Sequence, residues 1–202
     1  DGLHRLGYFV EPYWPEVTHI RIESSKIPRG SPQIRIVHLS DFHSDPKPRL
    51  EERIPDLVAS QKPHLVVFTG DAVNAPEGLP HFKRCLSRLT RLAPTFAVRG
   101  NFDVLTFTEL DFFGGTGARE LNGSAEKVVV GDTELWITGV AMSYENRISN
   151  ALAAVPPGSV TLFLYDTPDR IEAITGRGVD LYLAGHTHGG QVRLPFYGAL
   201  VV

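Results

Sequence analysis

Two histidines one residue apart, His186 and His188, stand in the run Gly185-His186-Thr187-His188-Gly189-Gly190-Gln191. Imidazoles are common ligands for divalent metals. Gly189 and Gly190 remove side chains beside the pair, which lets a substrate approach the backbone. The simpler alternative is a solvated turn, so the metal reading depends on matching ligands elsewhere. Four other blocks supply them: Asp41-Phe42-His43, Gly70-Asp71, Gly100-Asn101-Phe102-Asp103 and Asp166-Thr167-Pro168-Asp169. Alone, an Asp or Asn in such a place is a turn residue or a helix cap. Together, Asp, Asn and His form a ligand set for divalent ions of intermediate hardness. Cys85 is the single cysteine, which excludes a disulfide framework and a cysteine-rich zinc site.

Each block follows a short apolar run that reads as a strand: Ile34 to Ser40, Leu65 to Thr69, Thr95 to Arg99, Ser159 to Tyr165 and Val179 to Ala184. In open α/β sheets, ligands gather outside the carboxyl ends of the strands. Helical spacing is expected over Pro48 to Gln61 and over Leu79 to Leu92, and a shorter helix over Asp169 to Arg177. This alternation implies a mostly parallel sheet with covering helices. Lys127 to Val130 and Glu134 to Thr138, joined by Gly131-Asp132, form a hairpin signal that suits a second, antiparallel-rich sheet. Between Asn101 and Glu120, Phe102, Leu105, Phe107, Leu110, Phe112 and Phe113 either pack into the core or cap the site.

The blocks SDFH, TGD, GNFD, DTPD and GHTHGGQ, in this order, resemble those of the calcineurin-like metallophosphoesterases, and within them a bacterial membrane-associated phosphodiesterase branch. The resemblance runs from about Val17 to the C-terminus and implies an α/β fold of two stacked mixed sheets flanked by helices, an αββα sandwich. It implies that Asp41, His43 and His188 hold one ion, that Asn101 and His186 hold the other with Asp166, and that Asp71 bridges them. Asn101 and Asp103 are expected to act at the chemistry, Asp103 by orienting the Asn101 loop. Ions ~3.5–4 Å apart would activate a bridging hydroxide and clamp the phosphoryl oxygens. The implied activity is hydrolysis of a phosphodiester or pyrophosphate, of a phosphorylated small molecule or a nucleotide- or lipid-linked substrate.

Two positions depart from that pattern. Phe102 stands where the family commonly has a histidine thought to protonate the leaving group, and Asp166 where it commonly has a histidine ligand. Two divalent ions with Asp41, Asp71 and hydroxide would carry a formal charge of about +1, and ionised Asp166 cancels it. That favours Mn²⁺ over Zn²⁺, with Mg²⁺ and Fe²⁺ as alternatives. Loss of a general acid costs about 10²–10⁴-fold for a poor leaving group, so good leaving groups are expected unless Asp103, His81 or a group of the substrate donates. Phe102, Gly189 and Gly190 are the expected substrate contacts. The rival reading is a degenerate relative that binds metal and a phosphorylated ligand as a sensor or scaffold.

With 42% hydrophobic residues in 202 and a net charge of −3, the chain supports one domain with a substantial core. It has no basic stripe interleaved with aromatics, so nucleic acid is not an expected partner. Residues 1–16 read as a juxtamembrane or N-terminal extension, and residues 17–202 as one metallophosphoesterase domain, incomplete at its C-terminus where Phe196 to Val202 is still strand-like. Gly7 to Trp14 resembles the family's stretch after a membrane anchor, and Tyr13 and Trp14 suit an interface. A membrane-associated location, through an anchor not in this sequence, is therefore expected. Nothing in the sequence sets the oligomeric state.

Overall fold

The apolar runs alternate in what they cover, and this alternation builds the layers. The computed structural model describes residues 14–189 and the backbone of two further strands, Val192–Leu194 and Gly198–Val201. Gly190, Gln191, the segment 1–13 and residues 195–197 lie outside the described residues, as does Val202. Strands β1 (Ile36–Leu39), β2 (Leu65–Thr69), β3 (Thr95–Val98) and β4 (Arg119–Glu120) form one sheet in that order, parallel throughout. Strands β5 (Ser124–Val130), β6 (Thr133–Gly139), β7 (Val160–Leu164) and β8 (Leu181–Leu183) form the second. The last two strands, β9 (Val192–Leu194) and β10 (Gly198–Val201), pair antiparallel.

Leu65 and Val67 of β2 and Val160, Leu162 and Leu164 of β7 point into one apolar layer between the sheets. Their neighbours Val66 and Phe68 face outward onto helices, as the two-residue period of a strand requires. Helices α1 (Ile54–Ser60) and α2 (Leu79–Leu89) cover that side with Ile54, Val58, Phe82, Cys85, Leu86 and Leu89. Phe163 and Tyr165 on the far side of the second sheet pack with Ile148 and Ala151 of α4 (Ile148–Ala153) and Ile174 of α5 (Ile171–Ile174). The result is the αββα sandwich. Truncating a fully buried ring such as Phe68 would cost about 3–5 kcal/mol, because the close-packed layer cannot refill the space.

The differences from the sequence reading lie at element ends and in strand direction. The first helix begins at Ile54, since Leu50 to Arg53 form turns in which the Glu51 carboxylate accepts the Arg49 N–H at 2.6 Å. The second ends at Leu89, short of Leu92, because Pro94 follows and excludes further helix. The third is a 3₁₀ turn at Pro168–Arg170 followed by the four residues of α5. In the second sheet only β5 and β6 run antiparallel, while β6–β7 and β7–β8 are parallel because α4 and α5 serve as crossovers. Phe112 and Phe113 are core, with Phe107 and Leu110 packed against it, whereas Leu105 is 68% exposed, so the apolar segment divides between core and surface. No helix among the described residues is long and apolar enough to cross a membrane.

Candidate metal centre

Every candidate ligand lies just past the carboxyl end of a strand. Asp41 and His43 follow β1, Asp71 follows β2, Asp166 follows β7, and His186 and His188 follow β8. Asn101 opens α3 (Asn101–Leu105), after β3. Backbone bonds carry the strand pairing outward: Asp41 N–H donates to Gly70 O (3.0 Å), His43 N–H to Asp71 O (3.0 Å) and Gly185 N–H to Asp166 O (2.8 Å). The two sheets are joined where the His186 N–H donates to Asp41 Oδ1 and Oδ2 at 2.9 and 3.0 Å.

Such crowding explains the glycines. A Cβ at Gly100 would collide with the Asp71 carboxylate, and one at Gly185 with Ser40 Oγ and Asp41. Seven described non-glycine residues have positive φ, and five of them are Asp41 (53°), His43 (43°), Asp71 (60°), His186 (70°) and His188 (51°). Left-handed backbone is unfavourable for such residues and concentrates where function requires it.

Two groups of ligand atoms result, each within 4.8 Å of one another: Asp41, His43 and His188, and Asp71, Asp166 and His186. In the first, His188 Nε2 lies 3.5 Å from Asp41 Oδ1, and the rings of His43 and His188 stack at 5.0 Å. In the second, His186 Nδ1 lies 3.8 Å from Asp166 Oδ2 and 3.1 Å from the Asn101 side chain. Asp71 reaches both, with Oδ2 3.6 Å from His43 Nε2 and 3.0 Å from the Asn101 amide.

These residues fit divalent ions. With the Asn101 oxygen turned inward, it meets Asp71 Oδ2, Asp166 Oδ2 and His186 Nδ1, four acceptors facing one point. Turning the amide nitrogen inward lets it donate to the other three, whereas a cation would satisfy all four as ligands. Asp166 Oδ1 and His43 Nδ1 are buried without a hydrogen-bond partner, which a purely structural cluster would normally avoid.

Residues 34–190 match the family described as calcineurin-like phosphoesterase. The chain belongs to the calcineurin-like phosphoesterases. It is 30% identical to the metallophosphoesterase YkuE of Bacillus subtilis (strain 168), over 99% of this chain and 74% of that one. It is also 31% identical to phosphodiesterase YaeI of Escherichia coli (strain K12), over 96% of this chain and 74% of that one. Its fold is similar to that of phosphopantetheinyl hydrolase from Mycobacterium tuberculosis, with a TM-score of 0.51, 12% identity and coverage of 82% and 86%. Like other calcineurin-like phosphoesterases, it is a metal-dependent hydrolase of phosphoesters.

Within this phosphoesterase, Phe102 is 37% exposed and set edge-on to His43 at 5.3 Å, so it stands beside the first ligand group instead of beneath the loop. Its N–H donates to Asp71 Oδ1 at 2.9 Å. Asp103 is fully buried and accepts the N–H groups of Asp71 (3.0 Å), Ala72 (2.9 Å) and Gly100 (2.9 Å). It therefore positions two ligand loops, with its oxygens turned to backbone N–H groups and away from solvent. The His81 Nε2 is bonded to Pro46 O at 3.0 Å and joins neither ligand group. Gly189 follows His188 in open space, compatible with substrate approach.

Burial, and then the charge of Asp71, push Asp166 up to about 8. Burial also raises Asp71, raises Asp103 to about 6, and lowers His43. Sequence reasoning did not single out His38, whose Nε2 lies 2.7 Å from Thr69 Oγ1 and which burial holds neutral down to about 4. Its place within the alternation of β1 was the available signal. Also missed was the Tyr165 hydroxyl, which donates to Glu145 at 3.2 Å and braces the loop carrying Asp166.

Proposed function

We propose that the protein hydrolyses phosphodiester or pyrophosphate bonds at a binuclear centre held by Asp41, His43, Asp71, Asn101, Asp166, His186 and His188. The observation that carries this reading is the place of Asp71 between both ligand groups. Two divalent ions there, Mn²⁺ best suited to the donor set, would supply Lewis acidity to the phosphoryl oxygens and a nucleophilic water of lowered pKa.

The chain's own groups divide the remaining work. Asp71 fixes the spacing of the two groups, and the Phe102 and Asn101 N–H groups hold the carboxylates of Asp71 and Asp166 in place. Phe102 offers an apolar edge and no proton beside His43, so the leaving group departs unassisted from that side. Substrates with good leaving groups follow from this. A membrane-proximal, lipid-linked substrate is part of the same proposal, supported by the exposed Trp14, Ile20 and Ile22 ahead of β1.

The missing proton donor at Phe102 also favours a second reading, a metal-dependent binder of phosphorylated ligands that does not turn them over. One experiment separates the two. The purified chain is stripped with chelator, titrated with Mn²⁺, and assayed on bis(p-nitrophenyl) phosphate while bound metal is counted. Two ions per chain with recovered turnover is the expected result. One ion per chain would overturn the binuclear centre, and full loading without turnover would favour the binder.

A further inference from the structure

His43 serves the first ligand group through one ring nitrogen, Nε2, which lies 3.6 Å from Asp71 Oδ2. An imidazole that ligates through one nitrogen carries its proton on the other, and the acceptor of that proton fixes the ring's tautomer and orientation. The other nitrogen here, Nδ1, is buried and closes no regular hydrogen bond with the groups around it. Beside the ring stands the Asn74 side chain, placed to accept its proton.

Asn74 comes three residues after Asp71, and the loop that follows His43 holds it twice. Its backbone N–H donates to Ser44 O at 3.0 Å, and its Nδ2 donates to Asp45 Oδ1 at 3.1 Å. Ser44 and Val73 extend the parallel pairing of β1 with β2 by one bridge. The 3₁₀ turn Pro76–Gly78 then closes so tightly on this loop that a Cβ at Gly78 would collide with Ser44 O. Arg49 pairs with the other oxygen of Asp45 and pins it. A carboxylate held by arginine only accepts, so the amide nitrogen must face Asp45 and the amide oxygen is the end left for His43.

We infer that Asn74 is a positioning residue for the ion of the first ligand group: its side-chain oxygen takes the Nδ1–H of His43 and thereby keeps Nε2 as the free, ligating nitrogen. Asn74 acts through His43. Asp45 and Arg49 support it in turn, because they stop the amide from turning its nitrogen toward the ring, where two donors would oppose each other. The inference rests on the metal-binding reading of the site and is independent of the substrate.

The test is calorimetric titration of the chelator-stripped chain with Mn²⁺, which does not depend on turnover. An Asp166→Ala background disables the second ligand group, so the step that remains reports the first. Asn74 is exposed, so its replacement does not open the core. Asn74→Leu is expected to weaken the remaining step about 10–100-fold. Asn74→Asp keeps an oxygen toward His43 and gives up the donor to Asp45, and it should hold the affinity of the unsubstituted side chain. Unchanged affinity in Asn74→Leu overturns the inference. So does an Asn74→Asp variant as weak as Asn74→Leu, which would reduce Asn74 to a tie for Asp45, and so does an Asp166→Ala chain that takes up no ion. Failure of the binuclear reading would instead show as a single ion loaded by the chain with Asp166 intact.

Discussion

The two ligand groups face each other across Asp71, yet they are built from different materials. One draws on Asp41, His43 and His188, with two imidazoles and partial access to solvent. The other joins His186 to the buried carboxylates of Asp71 and Asp166 and to the Asn101 amide. Burial pushes His43 of the first group toward its neutral, ligating form and Asp71 and Asp166 of the second toward their protonated, non-ligating form. Binding an ion in the second pocket is therefore coupled to release of a proton, chiefly from Asp166. Its oxygen-rich donors also favour a harder ion than the first pocket does.

Removing the shared residue should have the largest effect. Asp71→Ala is expected to lower phosphodiester hydrolysis on the order of 10³-fold, several kcal/mol of lost charge stabilisation, with both ions weakened. Metal counting checks it; if one pocket stays fully loaded, Asp71 belongs to the other alone. Next comes Phe102→His, which should restore a proton donor beside the first pocket and raise hydrolysis of esters with poor leaving groups by about 10²-fold. Aryl phosphodiesters of graded leaving-group acidity provide the measurement, and the wild type should show the steeper dependence.

Asp103→Asn turns one acceptor into a donor facing backbone N–H groups. It should cost about 1–3 kcal/mol of stability by denaturant titration. Metal affinity should fall about 10–100-fold in both pockets, since Asp103 positions both loops indirectly. Unequal loss would show that it serves one pocket.

The smallest effect concerns protons. Asp166 has a raised pKa in the fold, so its contribution is fully present below the unfolded carboxylate value and is lost as pH rises through about 8. Metal-free protein should therefore melt a few degrees lower at pH 8.5 than at pH 6.5. That window lies above about 4 for His38 and about 6 for Asp103, and saturating Mn²⁺ should close the gap. In Asp166→His the pH gap should disappear and competition between Zn²⁺ and Mn²⁺ should shift toward Zn²⁺. An unchanged metal ratio would sink the contrast in donor hardness.

Much of this was legible because ligand types recur directly after apolar runs, and a strand end delivers the next residues to a shared edge. The parallel sheet followed from the same runs and the hairpin from Gly131-Asp132, whereas the stacked sandwich came from the resemblance to the family. Other features depend on contacts distant in sequence. The burial of Asp103 is set by N–H groups of a different loop, at Asp71 and Ala72. The exposure of Phe102 depends on α3, whose five residues are too short for a periodic signal. Strand direction in the second sheet was misjudged because a hairpin is a local signal, whereas parallel pairing across α4 and α5 is not.

The left-handed backbone at five of the candidate ligands has a consequence for anyone engineering this chain. Each such position costs roughly 1 kcal/mol or more relative to glycine, and the five together approach the ~5–15 kcal/mol margin of a whole domain. Directed evolution for heat resistance alone would therefore be drawn to glycine at Asp41, His43, Asp71, His186 and His188, and would return hardier proteins emptied of their ligands. Selection schemes for this scaffold need a metal-retention screen alongside the thermal one.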